Sequence, residues 1–326
     1  MRFAVLGGGA WGTALAAQAV RAGLATRLYV RGAELARALN ERRENAVYLP
    51  GVELPAGLHA TAQIAEALAD AEAVVVAVPS EFCRAIFREV HSSASRAATV
   101  VSATKGLEPE TLLRMSEVAA AEAPGRPLAA LSGPSFAVEV AKELPTAVVI
   151  ASADHAVAER VQRALATRSF RVYSSEDIVG VELAGAVKNV IAIAAGIVDG
   201  LGYGHNTVAA LVTRGLAEIS RLAAALGGRP DTLAGLAGLG DLVLTCTGSL
   251  SRNRTVGQRL GRGQSLAEAS AGLHPEGVRT TLATAALAER HRIDMPIVRQ
   301  MRAVLYESKP ARAALEELML RSLKRE

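Results

Sequence analysis

The stretch FAVLGGGAWGTALAAQAV, residues 3–20, runs from a short apolar strand pattern through three successive glycines into an alanine-rich helical segment. Gly7, Gly9 and Gly12 stand at G-x-G-x-x-G spacing between that strand and that helix, which is the setting that gives the spacing its meaning. Gly7 permits the tight turn, Gly9 lets a diphosphate approach the backbone, and Gly12 lets helix and strand pack closely. The helix N-terminus then faces the phosphates. Trp11, the single tryptophan, opens the helix, where its ring is placed either to cover a cofactor or to pack on the next loop.

Outward from this unit the same alternation continues. Strand patterns fall at TRLYV (26–30), AVVVAVP (73–79), TVVSAT (99–104), PLAALSG (127–133), TAVVIAS (146–152) and FRVYSS (170–175). Helical patterns such as IAEALADA (64–71), EFCRAIFREVH (81–91) and ETLLRMSEVAAA (110–121) lie between most of them, which predicts a parallel sheet with crossover helices and a ligand crevice at the carboxyl ends of the strands. After about Tyr173 long Ala/Leu helices follow one another without a strand. The expected fold is therefore α/β: a Rossmann-type, mostly parallel sheet domain over residues 1–175, followed by an all-helical substrate and catalytic domain over 176–326.

Composition is compatible with this reading. Half of the 326 residues are hydrophobic and only 3% are aromatic, so the core must come from Ala, Val, Leu and Ile. The formal charge of +4 is spread along the chain with no basic block, which argues against a nucleic-acid partner and favours small anions. Cys83 and Cys246 match no metal spacing, so no metal site is expected, and a reducing cytoplasm suits them. No secretory signal pattern is seen at the start, and the apolar run VIAIAAGIV (190–198) is too short to span a bilayer, so no membrane insertion is expected.

Several residues carry chemistry. Arg31 ends the second strand where NAD-selective enzymes usually place an acidic residue for the ribose 2′-hydroxyl. An arginine there suits a 2′-phosphate, so NADP(H) is the preferred cofactor, with NAD(H) the alternative. Lys105, and then Ser132, Gly133 and Ser135, stand just past the runs TVVSA (99–103) and PLAAL (127–131) at the ligand edge, where an ammonium, backbone N–H groups and a hydroxyl can meet a substrate oxyanion. Lys188 lies in VELAGAVKNVIAIAAG (181–196), on a narrow stripe with Ala184, Ala192 and Gly196. A lysine is rarely buried without cause, and burial would bring its pKa down from about 10.4 toward working pH, as a proton-transfer role requires. Pairing with a structural carboxylate such as Glu182 is the competing expectation. Asp241 and Thr245 share a helix face and supply partners for an ammonium and a substrate hydroxyl. TGSLSRNRT (247–255) sets Ser251, Arg252 and Asn253 where guanidinium and amide suit a phosphate.

With these residues in place the chain resembles the bacterial NAD(P)-dependent glycerol-3-phosphate dehydrogenases over nearly its whole length. The resemblance rests on GGGAWGTALA (7–16), SATKGLE (102–108), SGPSFAVEV (132–140), the segment around Lys188, AALVTRGLAEI (209–219) and GLAGLGDLVLTCTGSLSRN (235–253). It implies Lys188 as the general base, and substrate contacts at Lys105, Gly133, Ser135, Asp241, Ser251, Arg252 and Asn253. It also implies cofactor contacts at Trp11, Arg31, Lys105, Ala137, Arg252 and Glu276, with Asn189 and Thr245 as further active-site polar groups. His274, in LHPEG (273–277), departs from the aliphatic residue the family usually carries at that cofactor position. The implied reaction is reduction of dihydroxyacetone phosphate to sn-glycerol 3-phosphate and its reverse, feeding phospholipid synthesis. The oligomeric state stays open, a homodimer included. Two rivals share parts of the pattern: a β-hydroxyacid or ketopantoate type dehydrogenase, and a redox sensor that binds a dinucleotide without turnover. A sensor needs neither a lysine in an apolar helix nor a second anion clamp.

Overall fold

The computed structural model describes residues 1–321. The strands are β1 Arg2–Leu6, β2 Ala25–Tyr29, β3 Glu44–Asn45, β4 Leu49–Glu53, β5 Leu58–Thr61, β6 Ala73–Val76, β7 Thr99–Ser102, β8 Leu128–Ser132, β9 Thr146–Ala151 and β10 Phe170–Ser175. The main sheet is eight-stranded, in the order β10-β9-β8-β7-β6-β1-β2-β5. All of its neighbouring pairs are parallel except β8 with β9, where Leu131 opposes Ile150 in an antiparallel ladder.

Both faces of this sheet are covered, and β1 shows why its strands are continuously apolar. Phe3 and Val5 enter the core on one side, while Ala4 and Leu6 enter the core on the other. The helices of this part are α1 Ala10–Arg21, α2 Ala33–Arg42, α3 Ile64–Leu68, α4 Ser80–Ser93, α5 Met115–Glu122, α6 Ala137–Ala141 and α7 His155–Leu165. In α1 the run Ala14 to Ala17 is buried, and its small side chains let the helix lie close on the sheet.

Two local expectations are corrected. The helical pattern over 110–121 becomes helix only from Met115, because Leu112 takes a left-handed φ of 64° and Arg114 starts a capping box with Glu117. The segment between α2 and α3, which carries no strand in the sequence reading, holds the antiparallel pair β3–β4 and the edge strand β5 of the main sheet. Within β4, Gly51 takes φ 72°, a conformation that glycine adopts without strain.

The remaining elements are helical: α8 Ile178–Gly200, α9 His205–Ala225, α10 Pro230–Ala234, a π turn at Leu236–Gly240, α11 Asp241–Thr247, α12 Arg252–Gly261, α13 Leu266–Ser270, α14 Glu276–Arg290, α15 Pro296–Tyr306 and α16 Ala311–Met319. Two compact units result: Met1–Lys105 with Leu113–Glu182, and Gly106–Leu112 with Leu183–Glu326. The division falls within α8 and assigns the short segment 106–112 to the helical unit, whereas the sequence reading keeps 106–112 in the first domain and divides at 175.

α8 organises the helical unit. By length and composition it could cross a membrane, yet 89% of its most apolar window is buried inside the protein, as in a core helix. Against it lies α12, and the two backbones touch along a glycine seam. A methyl group on Gly196 would come 2.0 Å from the Arg254 carbonyl oxygen, and one on Gly257 would come 2.0 Å from that of Ile193. Gly200 and Gly261 continue the seam one turn further. Gly196 therefore takes the close backbone contact that the small-residue stripe around Lys188 predicts, and the seam fixes the start of α12 beside the middle of α8.

Candidate active site

In the sheet unit the glycine loop has the shape a diphosphate needs. Gly7 takes φ 128°, and a Cβ there would strike the Ala77 carbonyl oxygen at 2.5 Å. A Cβ on Gly12 would meet the Gly7 carbonyl oxygen at 1.9 Å, so this glycine lets α1 press against the turn. Gly9, by contrast, has ordinary dihedrals and nothing within 4 Å of where its Cβ would be. It leaves open space at the N-terminus of α1, where backbone N–H groups and the helix dipole favour an anion. The loop therefore suits a dinucleotide's diphosphate.

Trp11, at the same helix start, donates its indole N–H to the Ala103 carbonyl at 3.1 Å. Lys105 Nζ lies 6.0 Å from the centroid of that ring, donates to the Gly133 carbonyl at 2.8 Å, and reaches the Ser135 hydroxyl at 3.4 Å. Gly133 itself sits at φ 128° with Val148 Cα only 3.0 Å from its missing Cβ. Lys105, Gly133 and Ser135 thus converge beside Trp11, and Ala137 opens α6 just beyond them. Arg31 is exposed past the end of β2.

In the helical unit the polar groups converge on α8. Lys188 is 5% exposed and its ammonium makes a close ion pair with Asp241, which is 1% exposed. It also donates to Thr245 Oγ1 at 2.9 Å, and that hydroxyl donates to the Asp241 carbonyl at 2.6 Å. Asp241 and Thr245 sit one turn apart on α11, so one helix face holds one ammonium. Glu182, the carboxylate that competes for Lys188 in the sequence reading, is engaged elsewhere: it accepts from Arg114 at 2.7 Å and from the Ser116 backbone at 2.8 Å. Burial raises the Glu182 carboxyl above its ordinary pKa, and the Arg114 guanidinium opposes this. Cys246, beside Thr245, is pushed up to about 12 by burial and stays a neutral thiol.

Asn189 and Asn253 extend this cluster. The Asn253 amide donates to Asn189 Oδ1 at 2.9 Å, and its oxygen accepts the Gly277 backbone N–H at 3.0 Å, at the start of α14. One side chain thereby ties α8 and α12 to the helix that begins with Glu276. Ser251 is the N-cap of α12 and accepts from the Arg254 backbone at 3.2 Å. Arg252 and Arg254 part company here. Arg252 is exposed at the first position of α12, while Arg254 turns onto Asp199 at 2.7 Å and serves the helix packing. His274 is exposed two residues before Glu276. Among the described residues no group of three or more His, Cys, Asp and Glu side chains could hold a metal ion.

The sequence reading overlooks Asn45. This fully buried side chain donates to the Gly8 carbonyl at 2.9 Å and to Thr13 Oγ1 at 2.8 Å. Its sequence signal is slight: a lone asparagine ahead of a Pro-Gly pair.

Comparison with known proteins supplies a family. Residues 2–158 match the model of the NAD-dependent glycerol-3-phosphate dehydrogenase N-terminus, and residues 177–316 match that of the C-terminus. A glycerol-3-phosphate dehydrogenase [NAD(P)+] of Geobacter sp. (strain M21) is 51% identical over 330 aligned residues, covering 100% of this chain and 98% of that protein. The crystal structure of glycerol-3-phosphate dehydrogenase from Coxiella burnetii superposes with a TM-score of 0.94 at 40% identity, covering 98% of this chain and 99% of that one. A ketopantoate reductase from Ralstonia eutropha JMP134 matches with a TM-score of 0.63 at 17% identity, which is a likeness of fold alone.

Proposed function

The chain belongs to the NAD-dependent glycerol-3-phosphate dehydrogenase family, and from that membership we propose that it interconverts dihydroxyacetone phosphate and sn-glycerol 3-phosphate, with Lys188 as general acid and base. The observation that carries the catalytic assignment is the buried Lys188 ammonium, held by Asp241 and by Thr245 at 2.9 Å.

A nicotinamide dinucleotide held at the glycine loop would supply the hydride chemistry at C2 of the substrate. The chain's own residues handle protons and charge. In reduction, Lys188 Nζ gives its proton to the oxygen that becomes alkoxide at C2. In oxidation, the neutral amine takes the proton from the C2 hydroxyl. Asp241 balances the ammonium, and Thr245 fixes the direction of Nζ. Asn189 on α8 and Lys105 in the sheet unit serve as donors to the developing oxyanion. The assignment of Lys105, Gly133 and Ser135 as substrate contacts is supported by the hydrogen bonds that Lys105 makes to the Gly133 carbonyl and the Ser135 hydroxyl.

Arg252 and Ser251 at the start of α12, with Asn253 behind them, are the assigned phosphate contacts. An exposed guanidinium at a helix N-terminus suits a dianion. Gly7, Gly9, Trp11 and Gly12 are the assigned cofactor cradle of the sheet unit, with Ala137, and Arg252, His274 and Glu276 of the helical unit are assigned as further cofactor contacts. Arg31 favours NADP(H) over NAD(H) through the 2′-phosphate. The product is the acyl acceptor from which glycerophospholipids are made, and a cytoplasmic setting suits a chain whose two cysteines are both free thiols. Stopped-flow mixing with NADPH against dihydroxyacetone phosphate, dihydroxyacetone and ketopantoate tests the assignment. Rapid oxidation of NADPH by dihydroxyacetone phosphate alone is expected, and a preference for ketopantoate would overturn it.

A further inference from the structure

We propose that Asn45 is a positioning residue of the dinucleotide site, locking the glycine loop and the β3–β4 hairpin into one piece and setting the direction of the Gly9 N–H. The proposal rests on the glycine loop being the diphosphate cradle.

Asn45 makes three hydrogen bonds and is 0% exposed. Its amide nitrogen spends both protons on the loop, one on the Gly8 carbonyl at 2.9 Å and one on Thr13 Oγ1 at 2.8 Å. Its amide oxygen accepts the Tyr48 backbone N–H at 3.1 Å, within the hairpin. Thr13 lies in the first turn of α1, where its N–H donates to the Gly9 carbonyl at 2.9 Å. A single side chain therefore grips the residue before Gly9 and the helix turn after it.

The consequence follows from the peptide unit. A trans peptide is planar, so the carbonyl of Gly8 and the N–H of Gly9 point in opposite directions. Pinning the Gly8 carbonyl on the buried Asn45 turns the Gly9 N–H away from Asn45. Glycine at positions 8 and 9 has wide conformational freedom, and without the pin this peptide could rotate. A preset N–H spares a bound anion the ordering that it would otherwise have to impose. Only an amide meets the requirement, since two donors and one acceptor are used at once. An aspartate at this position would set a carboxylate against the Gly8 carbonyl.

The test compares Asn45→Ala and Asn45→Asp with the wild type, reading the Kd of NADPH from quenching of Trp11, the single tryptophan, together with kcat at saturating NADPH and the KM for dihydroxyacetone phosphate. Loss of the two hydrogen bonds to Gly8 and Thr13 should raise the NADPH Kd about tenfold for Asn45→Ala, and further for Asn45→Asp. kcat and the KM for dihydroxyacetone phosphate should stay within about twofold, a split that general destabilisation would not produce. Thr13→Ala removes one acceptor with less disturbance. It should raise the Kd by a smaller factor, and it decides the question if the Asn45 variants do not fold. Gly9→Ala is the control for the cradle, because its methyl would enter open space without strain. If Gly9→Ala weakens NADPH binding while Asn45 and Thr13 variants bind normally, the positioning role is overturned and the cradle stands. If Gly9→Ala binds NADPH normally as well, both fall.

Discussion

The carboxylate of Asp241 and the ammonium of Lys188 form an ion pair that is almost wholly removed from water, 1% and 5% exposed. Removing one partner leaves the other as an uncompensated buried charge, which typically costs about 3–5 kcal/mol. Lys188→Ala should therefore lose turnover by a factor of about one hundred or more and also lower the melting temperature. The double variant Lys188→Met/Asp241→Asn should regain much of the stability and none of the turnover. Calorimetry beside single-turnover kinetics separates the two effects, and near-normal turnover in the double variant would reduce Lys188 to a structural role.

Arg252 is exposed at the first position of α12, whereas Arg254 is spent on Asp199. A charge-assisted contact to phosphate contributes about 1.5–3 kcal/mol, so Arg252→Ala should lower kcat/KM for dihydroxyacetone phosphate roughly ten- to a hundredfold. With dihydroxyacetone, which lacks the phosphate, the variant and the wild type should be about equally poor at saturating NADPH. Equal losses on both ketones would show that Arg252 does not read the phosphate.

Arg31 stands past the end of β2, clear of the core. Arg31→Asp should move the ratio of kcat/KM values from NADPH toward NADH, since it removes a partner for the 2′-phosphate and adds an acceptor for a 2′-hydroxyl. The fold should be unaffected. An unchanged ratio would refute the cofactor preference.

The glycine seam makes a mechanical prediction. A methyl on Gly196 would lie 2.0 Å from the Arg254 carbonyl oxygen, so Gly196→Ala must push α12 away from α8. Overpacking of this kind costs about 1–3 kcal/mol. Because Asn253 on α12 bonds Asn189 on α8, the variant should lose kcat/KM as well as stability. Denaturant titration and steady-state kinetics on one preparation would check both.

Glu218 on α9 is buried and accepts the backbone N–H groups of Ile297 at 2.7 Å and Val298 at 3.2 Å, at the start of α15. Burial raises its carboxyl from the ordinary 4.5 to about 7. The folded state thus binds this proton more tightly than the unfolded chain. The associated stability is complete below about pH 4.5 and is lost as pH rises through about 7, a change on the order of 3 kcal/mol. The difference in unfolding free energy between wild type and Glu218→Gln should fall between pH 5 and 8. A constant difference across that range would contradict the shift.

What the sequence alone determined is whatever depends on neighbours a few residues apart. The glycine spacing after β1, the apolar strand runs and the Ala/Leu periodicity after Tyr173 act through local sterics and burial, and they were sufficient for two units of the observed types. Lys188 stood out for the same reason, as a charge inside a continuous apolar helical stripe. Tertiary structure decided what depends on pairs distant in sequence. It gave Lys188 to Asp241, 53 residues away, while Glu182, only six positions along the same helix, went to Arg114 and Ser116. It turned β9 antiparallel to β8 and brought Asn45 onto Gly8, 37 residues apart. A side chain's partner is set by which backbones can approach, and that closeness, as along the seam of Gly196 and Gly257, exists only once the helices and strands have packed.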